Sequence, residues 1–309
     1  MLEVAVEGYN IRKIYEKVGF FKRERFEALK RVNILVKRGE SYGIVGESGS
    51  GKSTLCRIIC GLDRDFLGSL KVMGLDVKKA GKNLRKKVQM VFQNPYSSLN
   101  PLMTVKETLF EGIKIHKIKD GEERIYKLLE RVGFKEDVLS KYPHQLSGGE
   151  RQRIAIVRAL SLMPDILIAD EPLSALDLSI QAEILSLILS LKEELSLTLI
   201  FVSHDLRVVR EVTERLTVLY DGYVVEEGDT EEIFSNPLHP YTAYLLDSVP
   251  VDHPGRRKAF KKNLEVTDSV KGACPFFSRC ERRKDICFFE KPEEKRHNGR
   301  VVFCHNPIL

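Results

Sequence analysis

No run of about 18 or more apolar residues occurs in the 309-residue chain, which excludes an ordinary membrane-spanning helix. The segment from Ile184 to Val202 comes closest, and Lys192-Glu193-Glu194 breaks it. The opening Met1-Leu2-Glu3-Val4 lacks the charged-then-apolar pattern of an export signal, so a cytoplasmic chain is expected. Cysteine is sparse, with six in all, and four of them fall in the last 36 residues. That clustering argues against a secreted disulfide framework and for a local metal site. Long-period repeats and low-complexity tracts are absent. A net charge of +6 suits a neighbour of anionic lipid or nucleotide without calling for DNA. Hydrophobic content of 43% and charged content of 30% describe a soluble, core-forming protein, and the length allows one large α/β domain plus an appendage, or two modest domains.

What is present centres on Gly46-Glu47-Ser48-Gly49-Ser50-Gly51-Lys52-Ser53, followed by Thr54. An apolar strand pattern at 40–45 leads in, and a helical pattern at 53–62 leads out. This context makes the glycine-rich stretch a phosphate-binding loop. Its glycines let successive N–H groups converge on phosphate oxygens, and the helix N-terminus adds partial positive charge. Lys52 can reach the β- and γ-phosphates, and Ser53 can offer its hydroxyl to Mg²⁺. Further on, Ile166-Leu167-Ile168-Ala169 runs into Asp170-Glu171. A carboxylate at that strand end suits Mg²⁺, and Glu171 beside it suits the polarisation of an attacking water.

The remaining pattern alternates strands and helices, which predicts a mostly parallel sheet covered on both faces. Strands are expected at 2–7, 32–38, 69–73, 88–92 and 197–202. The basic, aromatic stretch from Lys13 to Arg23 reads as a surface loop. Helices are expected at 105–115, 122–132, 180–195 and from Ser147 to Met163, ended by Pro164. Asp221-Gly222 marks a hairpin between strands 216–220 and 223–227. Cys56 and Cys60 read as small buried side chains. From about 235 the composition shifts, and Gly255-Arg256-Arg257-Lys258 to Lys262 reads as a solvated basic linker.

Several motifs stand together in one order. Leu146-Ser147-Gly148-Gly149-Glu150 resembles the signature sequence of ABC-type ATPases, with glutamate where that family usually has glutamine. Gln93 resembles their Q-loop glutamine, Ser174-Ala175-Leu176-Asp177 their D-loop, and His204 their switch histidine. Tyr15 matches the position of their adenine-stacking aromatic. The resemblance covers roughly residues 1–235. It implies an ABC-type P-loop NTPase core with a helical signature subdomain at about 94–163, an antiparallel β subdomain and a small cysteine-bearing extension at 236–309. It also implies ATP and Mg²⁺ as ligands, with Gln93, Glu171 and His204 catalytic and with Ser53, Gln93 and Asp170 around the metal. ATP would be sandwiched between this chain's loop and the Ser147–Gly149 nest of a second subunit.

Phe92-Gln93-Asn94-Pro95-Tyr96-Ser97-Ser98-Leu99-Asn100-Pro101 and Pro237-Leu238-His239-Pro240-Tyr241-Thr242 are similar to the oligopeptide/dipeptide-importer branch, and within it to the F-type subunit. That resemblance implies peptide import at the cytoplasmic face of the membrane. The expected partners are a D-type ATPase subunit, two permease subunits and, indirectly, an external substrate-binding protein. No nucleic acid is expected. Relatives that move oligosaccharides or nickel, and soluble ABC ATPases, are the alternatives.

Cys274, Cys280, Cys287 and Cys304 have five, six and sixteen residues between them, without the tight pair typical of structural zinc. Four thiolates can equally hold an iron–sulfur cluster, with Phe276, Phe277, Phe288, Phe289 and Phe303 as a shield. The branch resembled has members with a [4Fe–4S] cluster on a similar set. The expectation is therefore a [4Fe–4S] cluster first, Zn²⁺ second and two disulfides third.

Overall fold

The computed structural model describes residues 3–18, 23–93, 98–174, 176–248 and 273–308. The expected basic linker, residues 94–97 of the importer motif and Ala175 of the D-loop lie outside them.

The chain begins with a long antiparallel pair, β1 (Val4–Val18) and β2 (Arg23–Lys37), where a surface loop was expected over much of the length. The stretch at 11–16 is built in because Ile11 is fully buried and the Lys13 ammonium is drawn onto Asp63 at 2.9 Å. Next come β3 (Ser41–Val45), α1 (Lys52–Ile59), β4 (Leu67–Val72), the two-residue β5 (Leu75–Asp76), α2 (Gly81–Lys87) and β6 (Val88–Val91). Strands β2, β1, β4 and β5 form one antiparallel sheet in that order.

Two helices of the insertion follow, α3 (Val105–His116) and α4 (Gly121–Arg131). Thr104 caps α3 reciprocally with Glu107, and Val105, Leu109 and Ile113 form its buried stripe. After α5 (Gly148–Leu160) come β7 (Ile166–Asp170), α6 (Leu178–Glu194), β8 (Thr198–Val202), α7 (Leu206–Val212), β9 (Arg215–Tyr220) and β10 (Tyr223–Asp229). Asp221 and Gly222, both at positive φ, turn β9 back onto β10 as the sequence predicts.

Among the described residues the second sheet has eight strands. Strands β9, β3, β8, β7 and β6 run parallel. Its strands are buried on both faces by simple alternation. Tyr42, Ile44, Ile168, Ile200 and Val202 face a core shared with α1 and the antiparallel sheet. Val45, Leu167, Ala169, Leu199 and Phe201 face the core that holds α3–α6.

After α8 (Thr230–Ser235) and α9 (Pro240–Asp247), the extension adds α10 (Ile286–Phe289), β11 (Lys295–His297) and β12 (Arg300–Val302). Strand β12 pairs with β10 through Glu226 and Val302, so the extension continues the central sheet. Glu226, fully buried, accepts hydrogen bonds from the N–H groups of Leu238 and His239 at 2.9 Å each. That anchors the Pro237–Thr242 motif against the sheet.

Candidate active site

All strands contributing to the site end on one side. The parallel register β3–β8–β7 brings Ile44, Val202 and Asp170 level, so the loops that follow these strands converge. At Gly46 φ is +149°, and a Cβ there would stand 2.2 Å from the Leu219 carbonyl oxygen. Only glycine lets the chain leave β3 so close to β9.

The loop closes on Lys52, whose ammonium donates to the carbonyls of Gly46 at 2.7 Å and Glu47 at 2.9 Å. Lys52 is nearly buried, and burial is the leading influence that lowers its pKa, opposed by Glu171 and Asp170. The Ser50 hydroxyl is buried without a hydrogen-bond partner. A phosphate would satisfy both groups, so the cradle fits an anion. Beside it the Ser53 hydroxyl donates to Asp170 Oδ1 at 3.2 Å. Burial pushes the Asp170 carboxyl up, with Glu171 adding to the rise. Two oxygen donors on a nearly buried carboxylate site fit a hard cation such as Mg²⁺.

Glu171 stands one residue beyond β7 with φ +47°. This left-handed turn, not strand alternation alone, separates its carboxylate from that of Asp170. Glu171 Oε2 accepts from Gln93 Nε2 at 2.8 Å and lies 3.3 Å from His204 Nδ1. Three residues far apart in sequence therefore meet on one carboxylate oxygen.

Ser147 caps α5: its hydroxyl accepts from the Glu150 N–H at 3.2 Å, and its own N–H donates to Glu150 Oε2 at 2.7 Å. The hydrogen bond from the Ser147 backbone N–H does most to hold the Glu150 carboxyl below its ordinary value. Glutamate thus completes a capping box here. Gly149 packs under α6, where a Cβ would meet Ile180 at 2.8 Å. Tyr15, half-buried, is tied to the other end of α1: its hydroxyl donates to Asp63 at 3.2 Å and the Lys13 ammonium lies 4.9 Å from its ring centre.

The ABC transporter family matches residues 29–174, and the oligopeptide/dipeptide transporter C-terminal region matches residues 225–287. The dipeptide transport ATP-binding protein DppF of Escherichia coli is 42% identical over 97% of this chain and 93% of its own. The chain belongs to the ABC transporter family, in its dipeptide and oligopeptide ATP-binding branch. The oligopeptide transport ATP-binding protein AppF of Bacillus subtilis is 40% identical over 98% of this ABC chain and 97% of its own length. Among solved structures, a dimeric post-hydrolysis ATP-binding cassette bound to ADP and Pi superposes with a TM-score of 0.64 at 37% identity. That match covers 73% of this chain and 98% of the cassette. The α/β core with its antiparallel sheet and helical insertion is the ABC ATPase fold, and the activity of this family is ATP hydrolysis.

The four tail cysteines correct an expectation. Among the described residues, no group of three or more histidine, cysteine or acidic side chains is placed to hold a metal ion. Neither a [4Fe–4S] cluster nor a zinc site is supported, and all four are free thiols, so the two disulfides are absent as well. Burial is the leading cause that pushes the Cys274 thiol up to about 12 and the Cys280 thiol up to about 11. Cys280 joins the main core, while Cys304 packs with Leu238 and Val302. Spacing alone misled because a buried thiol also serves as a small apolar side chain.

Sequence reasoning also missed Arg279, Tyr241 and Glu226 as parts of the site's support. Tyr241 lies within the Pro237–Thr242 motif, but nothing local in the sequence signals its contact with Glu47, the grip of Arg279 on Glu47 or the anchoring role of Glu226.

Proposed function

We propose that this chain is the ATP-hydrolysing subunit that powers a membrane importer of dipeptides or oligopeptides. The observation that carries the reading is the Glu171 carboxylate held between Gln93 and His204, one residue beyond the Ser53–Asp170 pair. Lys52 and the loop N–H groups would hold the phosphates, and Ser53, Asp170 and Gln93 would hold Mg²⁺. Bound there, Mg²⁺ would offset phosphate charge and orient the γ-phosphate. Glu171 would take the proton of the attacking water, while Gln93 and His204 fix its orientation. Tyr15 would stack on adenine.

A second ATPase subunit, of the D type, would complete the site with its own signature nest. This chain's Ser147, Gly148 and Gly149 would serve that partner's ATP. Supporting the pairing, the chain resembles a cassette that is dimeric. Two permease subunits would dock on the insertion. A groove of about 310 Å³ lies there, lined by Leu62, Met90, Phe92, Thr108 and Arg158 among others, and the buried Thr108 hydroxyl in it has no partner. Among the described residues no helix is long and apolar enough to cross a membrane, which suits a peripheral subunit fed by an external binding protein. Peptide cargo is favoured over sugar or nickel by the match of residues 225–287 and by the relatives named for dipeptide and oligopeptide transport.

The test is co-purification of the chain with transmembrane partners, followed by ATP-dependent uptake of a labelled dipeptide into vesicles. Purification free of any membrane partner would sink the importer reading. Uptake of nickel or an oligosaccharide, with none of dipeptide, would sink the cargo.

A further inference from the structure

The C-terminal extension reaches back onto the phosphate loop. Arg279 donates from both terminal nitrogens to the two carboxylate oxygens of Glu47, at 2.8 Å each. The Glu47 backbone N–H donates to the Tyr241 hydroxyl at 2.9 Å. Arg279 is itself walled by rings, its guanidinium carbon lying 4.9 Å from the centre of Tyr244, 5.6 Å from Phe276 and 5.8 Å from Tyr220. Tyr220, Tyr241 and Phe276 pack on one another with centres 4.5 to 5.4 Å apart. A planar fork stacked between rings loses little freedom when it grips a carboxylate, so this contact is pre-organised.

We propose that Arg279 and Tyr241 are positioning residues for nucleotide binding, acting through Glu47. The inference rests on the reading of the loop as the ATP site. Two physical effects give it a sign. Tethering Glu47 by its side chain and its N–H removes part of the freedom that a glycine-rich loop must surrender when it wraps a phosphate. Arg279 also neutralises a carboxylate that sits within the loop, which would otherwise repel an incoming polyanion. The second effect makes removal of the arginine reversible by removal of the charge it covers.

The test uses the full chain with Mg·ATP, comparing wild type, Arg279→Ala, Glu47→Gln and the double variant. Arg279→Ala should weaken ATP binding by about three- to tenfold, the range of a half-exposed bidentate ion pair beside a charged ligand. Turnover at saturating ATP should change by less than about twofold, because the chemistry at Glu171 is untouched. The double variant should bind ATP more tightly than Arg279→Ala alone. Wild-type affinity in Arg279→Ala, or a double variant as weak as the single, overturns the proposal. Should Arg279→Ala not fold, Tyr241→Phe carries the test, and wild-type affinity there overturns it equally. Lys52→Ala separates the two readings. If that variant binds ATP like wild type, the loop is not the site and the inference falls with it; if it loses binding while Arg279→Ala does not, only the clamp fails.

Discussion

The phosphate loop and the C-terminal extension touch at Glu47, and they are held together by different means. The loop is built by backbone: Lys52 closes it on two carbonyls, and Gly46 takes a conformation other residues resist. The extension is built by side chains: Glu226 receives two N–H groups, Arg279 grips the loop, and aromatic rings fill the space between. Backbone-built sites need particular residues at fixed spacing. Side-chain-built ones need only that distant groups arrive, and many residues can deliver them.

The comparison can be broken first at the Glu171 carboxylate, the proposed base, where the largest effect is expected. Glu171→Gln should lower ATP turnover by about 10²- to 10⁴-fold, with ATP binding retained and a stable ATP-bound dimer. Turnover assays with size-exclusion chromatography check it, and wild-type turnover would refute the role of Glu171. Next comes the anchor of the extension. Glu226→Ala leaves two buried N–H groups without their acceptor and removes a carboxylate 3.7 Å from the Arg300 guanidinium, at a cost of about 3 kcal/mol in chemical denaturation. An unchanged midpoint would mean the extension is not tied to the sheet as described.

A smaller and pH-dependent effect lies at His239. Burial lowers its pKa from 6.5 to about 3, and its Nδ1 accepts from the Tyr241 N–H at 3.0 Å. The unfolded chain takes up this proton below about pH 6.5, whereas the folded chain does so only near pH 3. Stability from this group is therefore full above about pH 6.5 and falls with decreasing pH toward 3, by at most about 1.4 kcal/mol per pH unit. His239→Asn keeps a helix-capping acceptor and should flatten that dependence between pH 6.5 and 5 relative to wild type. Parallel slopes would refute it. The smallest effect expected is from Ser147→Ala. Loss of this cap should cost about 1 kcal/mol of helix stability in thermal unfolding.

Much of the site could be read ahead of the structure because its parts are locally coded. Strand, glycine-rich loop and helix are consecutive around Lys52, and Asp170-Glu171 ends an unbroken apolar strand. The hairpin at Asp221-Gly222 and the insertion helices were equally legible, from turn chemistry and from period 3.6. The strand nature of residues 11–16 was not, because Lys13 and Tyr15 look exposed until Asp63 is brought beneath them. The cysteines were misread because four thiols in a short tail carry no record of whether they will face a metal or a core.

Sequence by itself determined the chemistry: the residue types at 46–54, 93, 147–149, 170–171 and 204 suffice for an ABC ATPase. Folding decided how those residues are supported. Glu171 turns at positive φ to gather Gln93 and His204, and Glu47 is gripped by an arginine 232 residues downstream. The physical reason is range. Backbone preferences and periodicity act over a few residues and leave a mark in the sequence, while the Glu47–Arg279 contact exists only once the extension has packed on the sheet through β12 and Glu226.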